Sequence, residues 1–330
     1  MESSRPYIVV TPAYNEEEHL PATIESMVAQ RVPPAVWVIV DDGSTDRTGE
    51  IVRAAAEETD WIVAVGGGDK QTVGSDGLLL ALEIKAFERG LERALEISPN
   101  AEFYCKLDAD LRFDEEYFAK LLEEMAKDER LGIAGGTIYE YHGDELVKEL
   151  INPKHVRGAT KFYRRTCYEA FGGLRSMLGW DVVDELLAHD HDWRVKPFDP
   201  PQLIHLRPTS SRGGRFKGFV RNGLIAHYVG YSFGRIAIRS AYRVTLGLDP
   251  VHGFGLFWGY FRSVISRRPR ADRAVLDSVR RNQWSSAPIG SAIAVALKNL
   301  PGRVRGLLFP SRSKSSTSQK PELERVPPDA

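Results

Sequence analysis

The chain has 330 residues, 42% of them hydrophobic, which is enough for a large core and an extension, and its formal net charge is −1. Two distant cysteines, Cys105 and Cys167, exclude a disulfide framework, and no apolar stretch reaches the roughly 18 residues of a membrane span. The near-zero charge hides a split: residues 1–150 carry 14 Lys and Arg against 32 Asp and Glu, whereas residues 151–330 carry 30 against 13.

The first half alternates strand and helix. Residues 7–11 read as a strand, and Leu20, Ile24, Met27 and Val28 follow at helical spacing. The run 36–40 predicts a second strand. Ser44, Thr45 and Asp46 form an N-cap cluster for a helix reaching about Glu58. Residues 61–65 predict a third strand, 79–95 a helix, and 102–107 a buried strand. Residues 114–127 form an amphipathic helix with Phe118, Leu121, Leu122 and Met125 on one face. Such alternation predicts an α/β, doubly wound, mostly parallel sheet. Beyond about residue 130 glycines, arginines and aromatics increase and periodicity weakens, so loops and irregular strands are expected over the sheet's C-terminal edge. Residues 221–281 read as helical, with arginines among Phe, Tyr and Trp and with Pro269 as a breaker. Residues 311–330, rich in Ser, Lys and Pro, read as a disordered tail.

The chemistry concentrates at strand ends, where ligands bind in open α/β sheets. The strand before Asp108 delivers Asp108-Ala109-Asp110, and alternation puts both carboxylates on one side of an extended chain. A divalent cation holding a diphosphate would relieve their repulsion. The first strand ends in Thr11-Pro12-Ala13-Tyr14-Asn15-Glu16, and the second in Asp41-Asp42-Gly43-Ser44. Carboxylates for nucleoside donors, an aromatic wall and a metal for the diphosphate are what a nucleotide requires. Each turn alone is ordinary, but three converge on one edge. Gly66 to Asp69 lacks both common phosphate-loop patterns and reads as a connection with Asp69 near the nucleoside.

These three motifs, in this order and spacing, resemble family 2 glycosyltransferases of the GT-A fold over about residues 5–235. The resemblance implies an inverting transfer from a nucleotide-diphosphate sugar, aided by Mg²⁺ or Mn²⁺. It places Pro12, Tyr14, Glu16 and Asp42 around the nucleoside, with Asp69 and Lys106 on the donor side. Asp108 would face ribose and metal, and Asp110 would be the main metal ligand, with His205 as a further one. On the acceptor side it implies a carboxylate base. Counting back from Trp193 selects Asp181, with Asp184 one helical turn further on as the alternative; Trp180-Asp181 stands where the family often has Glu-Asp. The basic, glycine-rich segment 210–217 would close over the diphosphate through Arg212, Arg215 and Lys217. It replaces a Gln-x-x-Arg-Trp signature, which argues against a processive synthase. The pairs at His189 to Asp192 read as a helix end rather than a metal site.

The expected organisation is a catalytic domain over 1–235, with a nucleotide-sugar half to about 130 and an acceptor half from 131, then a helical basic-aromatic extension over 236–310. Within 205–314, 20 basic residues, 17 of them Arg, stand against three acidic ones. That excess suits an anionic membrane surface and a glycan or lipid-linked acceptor in cell-surface glycan or glycolipid synthesis. No nucleic-acid motif accompanies it. The N-terminus lacks the apolar core of a signal peptide, so the expected location is cytoplasmic and peripheral at the inner face of the membrane. Two alternatives are a degenerate GT-A-like binding module and a sugar-phosphate nucleotidyltransferase. The latter needs a glycine-rich basic signature after the first strand, where Pro12 to Glu16 stands instead.

Overall fold

A computed structural model describes residues 6–66, 82–142, 144–148, 154–207, 215–245 and 250–282. The first half runs β1 (Tyr7–Ala13), α1 (Leu20–Val28), β2 (Val36–Asp41), α2 (Thr48–Glu58), β3 (Ile62–Val65), α3 (Leu82–Ile97) and β4 (Phe103–Leu107). These strands are parallel in the order β3-β2-β1-β4. β1, β2 and β4 are near-continuous apolar runs because helices cover both faces of the sheet. Ile8, Val10, Val38 and Val40 point to the face that packs on α3, while Val9, Trp37, Ile39 and Cys105 point to the face that packs on α1 and α2. Gly90 lets α3 lie close on the sheet: a Cβ there would sit 2.4 Å from Val10 Cγ1 and 2.8 Å from Val40 Cγ2. The buried Trp37 Nε1 donates to Thr11 Oγ1 at 2.9 Å, so the indole leaves no orphan donor.

The chain continues through β5 (Leu111–Phe113), α4 (Tyr117–Lys127), β6 (Leu131–His142), β7 (Glu145–Lys148), β8 (Thr160–Arg164), α5 (Arg165–Ala170), α6 (Trp180–Asp190) and β9 (Arg194–His205). The sheet extends from β4 as β8-β6-β9-β5, with β7 on β6. β8 is antiparallel to β4, and β6 is parallel to β9. Of the loops and irregular strands expected beyond residue 130, the strands are irregular in register but long: β6 and β9 are each 12 residues. Their pairing shifts register between Leu131 and Ile133 and between Gly136 and Ile138, which breaks the two-residue alternation that would have announced strands. Two helix starts also move. Ser44 and Asp46 serve a turn, in which Asp41 Oδ1 accepts from Ser44 N and Asp46 Oδ1 accepts from Thr48 N, so α2 begins at Thr48. Asp114 Oδ1 accepts from Glu116 N, and α4 begins at Tyr117. The expected start of α3 at 79 and the tail over 311–330 lie outside the described residues.

Four helices follow: α7 (Arg215–Tyr228), α8 (Phe233–Thr245), α9 (Pro250–Ile265) and α10 (Arg273–Asn282). Pro269 sits in the break between α9 and α10, as expected of a residue that cannot donate within a helix. α7 and α9 cross at glycines: a Cβ on Gly223 would lie 2.2 Å from Leu256 O, and one on Gly259 2.0 Å from Val220 O. Ala226, Ile236, Leu256 and Tyr260 form a small core among these helices. Val275 and Val279 of α10 join the larger core with Val183 and Leu187 of α6. Arg281 adds an ion pair to Asp190 at 2.7 Å.

Candidate active site

The loops after β1 and β2 are laced together at the C-terminal edge of the parallel strands. Asn15 lies in the left-handed region at φ 54°, a conformation that Asn adopts more readily than most residues. Its N–H donates to Ser44 Oγ at 3.0 Å, and its Oδ1 accepts from Thr45 N at 2.8 Å. Glu16 N donates to Thr48 Oγ1 at 2.8 Å. Pro12 is partly buried at the end of β1, and Tyr14 stands exposed beyond it. Asp42 is held by Arg89 of α3 at 2.6 Å. The polar ends of β1 and β2 therefore form one wall.

Beside that wall β4 presents the acidic turn. Thr23 Oγ1 of α1 donates to Ala109 O at 2.8 Å and accepts from Leu111 N at 3.1 Å, which pins the turn between Asp108 and Asp110. Asp108 N donates to Ala159 O, and Leu206 N donates to Asp110 O. Lys106 is buried, and its ammonium pairs with the Asp108 carboxylate. β5 pairs with β9 in a register that sets Leu111 opposite His205 and brings that imidazole to the turn. His205 Nε2 lies 3.1 Å from Asp110 Oδ1, and Nδ1 lies 3.7 Å from Glu140 Oε1. Burial acts to raise the Asp110 pKa, but the hydrogen bond from His205 and the charges of His205 and Arg207 hold it below the usual carboxylate value. Arg207 also pairs with Glu16, tying the end of β9 to the β1 loop.

Asp108, Asp110 and His205 each offer one ligand atom, and all three atoms lie within 4.8 Å of one another. Ligand atoms about 2.0–2.2 Å from one ion are separated by at most about 4.4 Å, so a contraction of a few tenths of an ångström completes a site. Two carboxylates and an imidazole fit a Mg²⁺ or Mn²⁺ ion.

Helix α6 is preceded by Gly179, whose φ of 78° belongs to glycine, and a Cβ there would lie 2.6 Å from Ile225 Cγ2. Trp180 follows. Its ring lies 5.2 Å from Lys106 Nζ and 5.7 Å from Lys161 Nζ, and its Nε1 donates to Glu83 Oε1 at 3.1 Å. One indole thus neighbours both Lys106, the partner of Asp108, and Lys161 among the buried charges of α6. Asp181 and Asp184, three residues apart, have different surroundings. The Asp181 side chain is 23% exposed, in the first turn of a helix, where negative charge is favoured. The Asp184 side chain is 2% exposed, and its oxygens accept from Lys161 at 2.6 and 2.8 Å and from Tyr163 OH at 2.6 Å. Burial pushes the Asp184 carboxyl up, to about 7.

Of the residues singled out from the sequence, the structure brings together Pro12, Tyr14, Glu16 and Asp42 on one wall, and Lys106, Asp108, Asp110 and His205 at the turn. Asp181 and Asp184 share α6. Asp69, Arg212 and the side chain of Arg215 lie outside the described residues. His189 and His191 contact the backbone carbonyls of Trp193 and Leu187, as a helix end does. Thr23, His155, Lys161 and Arg207 belong to the site and carried no motif. Thr23 lies within an ordinary helical run, and the other three meet their carboxylate partners only through tertiary packing, His155 and Lys161 against α6 and Arg207 against the loop after β1.

Residues 8–70 match the family model described as glycosyl transferase family 2. An undecaprenyl-phosphate 4-deoxy-4-formamido-L-arabinose transferase of Pectobacterium carotovorum subsp. carotovorum (strain PC1) is 32% identical over 146 residues, 43% of this chain and 39% of that relative. The chain thus spans about two-fifths of the length of that curated relative. Among solved structures, the mannosyltransferase PcManGT from Pyrobaculum calidifontis, in complex with GDP-Man and Mn²⁺, aligns over 90% of this chain and 88% of its own, at a TM-score of 0.50 and 18% identity. S. aureus TarS 1–349 in complex with UDP-GlcNAc aligns over 91% of this chain and 82% of its own, at a TM-score of 0.50 and 15% identity. At these identities the likeness establishes the fold, which is GT-A.

Proposed function

We propose, from the match of residues 8–70 to glycosyl transferase family 2 and from the GT-A fold, an inverting transfer of a sugar from a nucleotide-diphosphate donor to an acceptor hydroxyl. The observation that carries this reading is the meeting of Asp108, Asp110 and His205 at the strand ends, beside the wall of Pro12, Tyr14, Glu16 and Asp42. That wall would hold the nucleoside. A divalent ion held by Asp108, Asp110 and His205 would neutralise charge gathering on the leaving diphosphate. Asp181 is the base: it takes the acceptor hydroxyl's proton as that oxygen bonds to C1, and the C1–O bond to the diphosphate breaks with its electron pair leaving on the nucleoside diphosphate. Asp181 is preferred to Asp184 because its side chain reaches solvent, whereas both Asp184 oxygens are engaged.

The acceptor is lipid-linked or membrane-proximal in this reading. Val251, Phe254, Trp258, Phe261 and Ile265 form an exposed stripe along α9, at spacings of three and four residues. Their opposite face, with Gly255, Leu256, Gly259 and Tyr260, is buried against neighbouring helices. Phe216 of α7 extends the stripe by stacking on Phe254 at 6.2 Å. Arg262, Arg267 and Arg270 are exposed at the C-terminal end of α9 and just after it. Aromatic residues ringed by arginines suit the headgroup region of an anionic bilayer. Among the described residues no helix is long and apolar enough to cross a membrane. In this reading contact is peripheral, at the cytoplasmic face. The curated relative's name points to undecaprenyl phosphate as an acceptor of that relative. A phosphate acceptor attacks through an oxygen already ionised and needs no base, so an essential Asp181 favours a hydroxyl and a dispensable one favours a phosphate.

A thermal-shift screen of UDP-, GDP- and dTDP-sugars, with and without Mn²⁺, tests the donor reading. Binding to the native state raises Tm by mass action. Stabilisation by one nucleotide class, dependent on Mn²⁺ and lost in Asp110→Asn, is expected. No shift with any nucleotide in either condition would contradict it.

A further inference from the structure

His155 lies on the segment before β8, and both of its ring nitrogens face carboxylates of α6. Nε2 is 3.4 Å from Asp181 Oδ2, and Nδ1 is 3.0 Å from Glu185 Oε1. A neutral imidazole carries one proton, so one of these contacts would then set lone pair against lone pair; the doubly protonated ring satisfies both. Glu185 is itself fixed, since its Oε1 accepts from Val156 N at 2.8 Å and lies 3.3 Å from Lys161 Nζ. Asp181 and Glu185 are four residues apart on one helix face, so the ring spans a full turn. The charged groups around it are Asp181, Asp184 and Glu185 from α6, Lys161 from β8, and Arg157 two residues on in its own segment. The side chain is 14% exposed, so water does little to screen these charges.

We propose that His155, as an imidazolium, is the positioning residue of Asp181: it splints Oδ2 to the Glu185 anchor, leaves the other carboxylate oxygen for the acceptor, and keeps Asp181 ionised. The role rests on the reading of Asp181 as the base. The charge balance of the neighbourhood agrees. Burial opposes the His155 charge, but hydrogen bonds to Asp181 and Glu185 outweigh it and raise its pKa to about 9. Burial likewise acts to raise the Asp181 pKa, and the His155 hydrogen bond with the charges of Lys161, His155 and Arg157 takes it well below the usual carboxylate value. Asp184 cannot take this role, since Lys161 and Tyr163 already occupy its oxygens. The signal was absent from the sequence because His155 precedes Asp181 by 26 residues and belongs to no motif.

The test needs no substrate. The chain holds eight histidines, and imidazole carbon–proton resonances of ¹³C-histidine protein are followed against pH, with His155 assigned from the spectrum of His155→Gln. In the unaltered protein His155 should titrate near pH 9, and in Asp181→Asn and in Glu185→Gln its midpoint should fall toward about 6.5. In His155→Gln the Asp181 carboxyl carbon should titrate at higher pH than in the unaltered protein. A His155 midpoint at or below about 6.5, or one unmoved in both carboxamide variants, overturns the proposal. Should His155→Gln fail to fold, His155 is assigned as the resonance that both carboxamide variants shift, and those two variants decide. Turnover separates this proposal from the reading beneath it. A fully active Asp181→Asn removes the base and with it the role given to His155. An inactive Asp181→Asn, together with an Asp181 carboxyl unmoved in His155→Gln, overturns the splint alone.

Discussion

Asp181 and Asp184 show how a backbone offset of three residues separates two carboxylates. Asp181 remains open to solvent at the first turn of α6, while Asp184 is buried under Lys161 and Tyr163. Their asparagine variants should therefore fail differently. Asp181→Asn should lower turnover by about 10²–10⁴-fold with donor affinity retained, because general-base assistance acts in the transition state. Asp184→Asn should leave the Lys161 ammonium without its main partner and cost about 3–5 kcal/mol in urea unfolding, the usual penalty for breaking a buried pair. An Asp184→Asn variant of normal stability and no turnover would reverse the assignment. pH adds a further check at this scale. The His155 pKa is raised in the folded state, so its stabilising contribution is complete below about pH 6.5 and is lost as pH rises through about 9. Stability should decline over that window and decline less in Asp181→Asn, as read by thermal unfolding at each pH.

At the scale of elements, the parallel half was legible because β1, β2 and β4 are short apolar runs ending in polar turns, and that pattern survives in one dimension. Asp108 and Asp110 could be read from the same pattern. β6 and β9 were not legible: their register shifts scramble the alternation, and the glycines of β6 and the prolines of β9 mimic loop composition. His205 could be singled out because it follows an apolar run. Its partner Glu140 comes from a strand 65 residues earlier, and only pairing reveals it. The C-terminal helices were legible as helices, but which aromatics face outward depends on the glycine crossing of α7 and α9. That crossing makes a paired prediction. Gly259→Ala would bring its Cβ to 2.0 Å from Val220 O and should destabilise the protein by about 1–3 kcal/mol, as overpacking does. Gly218→Ala, also helical but with nothing within 4 Å of its Cβ, should stabilise by about 0.5–1 kcal/mol. Equal Tm changes in the two variants would contradict the crossing.

At the scale of the whole molecule, the chain divides its charge, with the acidic turn and the β1–β2 wall in an acidic half and the exposed α9 stripe in a basic one. Flotation with anionic vesicles at low salt should carry the protein up, and added salt should weaken the binding through screening. The triple variant Phe254→Ala, Trp258→Ala, Phe261→Ala should stay at the bottom of the gradient while keeping its Mn²⁺-dependent nucleotide shift. Flotation of that variant equal to the unaltered protein would leave the stripe without a membrane role.

Sugar transfer at the Asp108, Asp110 and His205 edge is the proposed activity. It is tested most directly by incubating the protein with Mn²⁺, the stabilising nucleotide-sugar and a membrane-lipid extract, then resolving the nucleotide products and the anomeric configuration of the transferred sugar. Release of nucleoside diphosphate, a product of inverted configuration, and loss of both with EDTA or in Asp110→Asn are expected. Release of pyrophosphate or nucleoside monophosphate, retention of configuration, or full turnover by Asp110→Asn would contradict it.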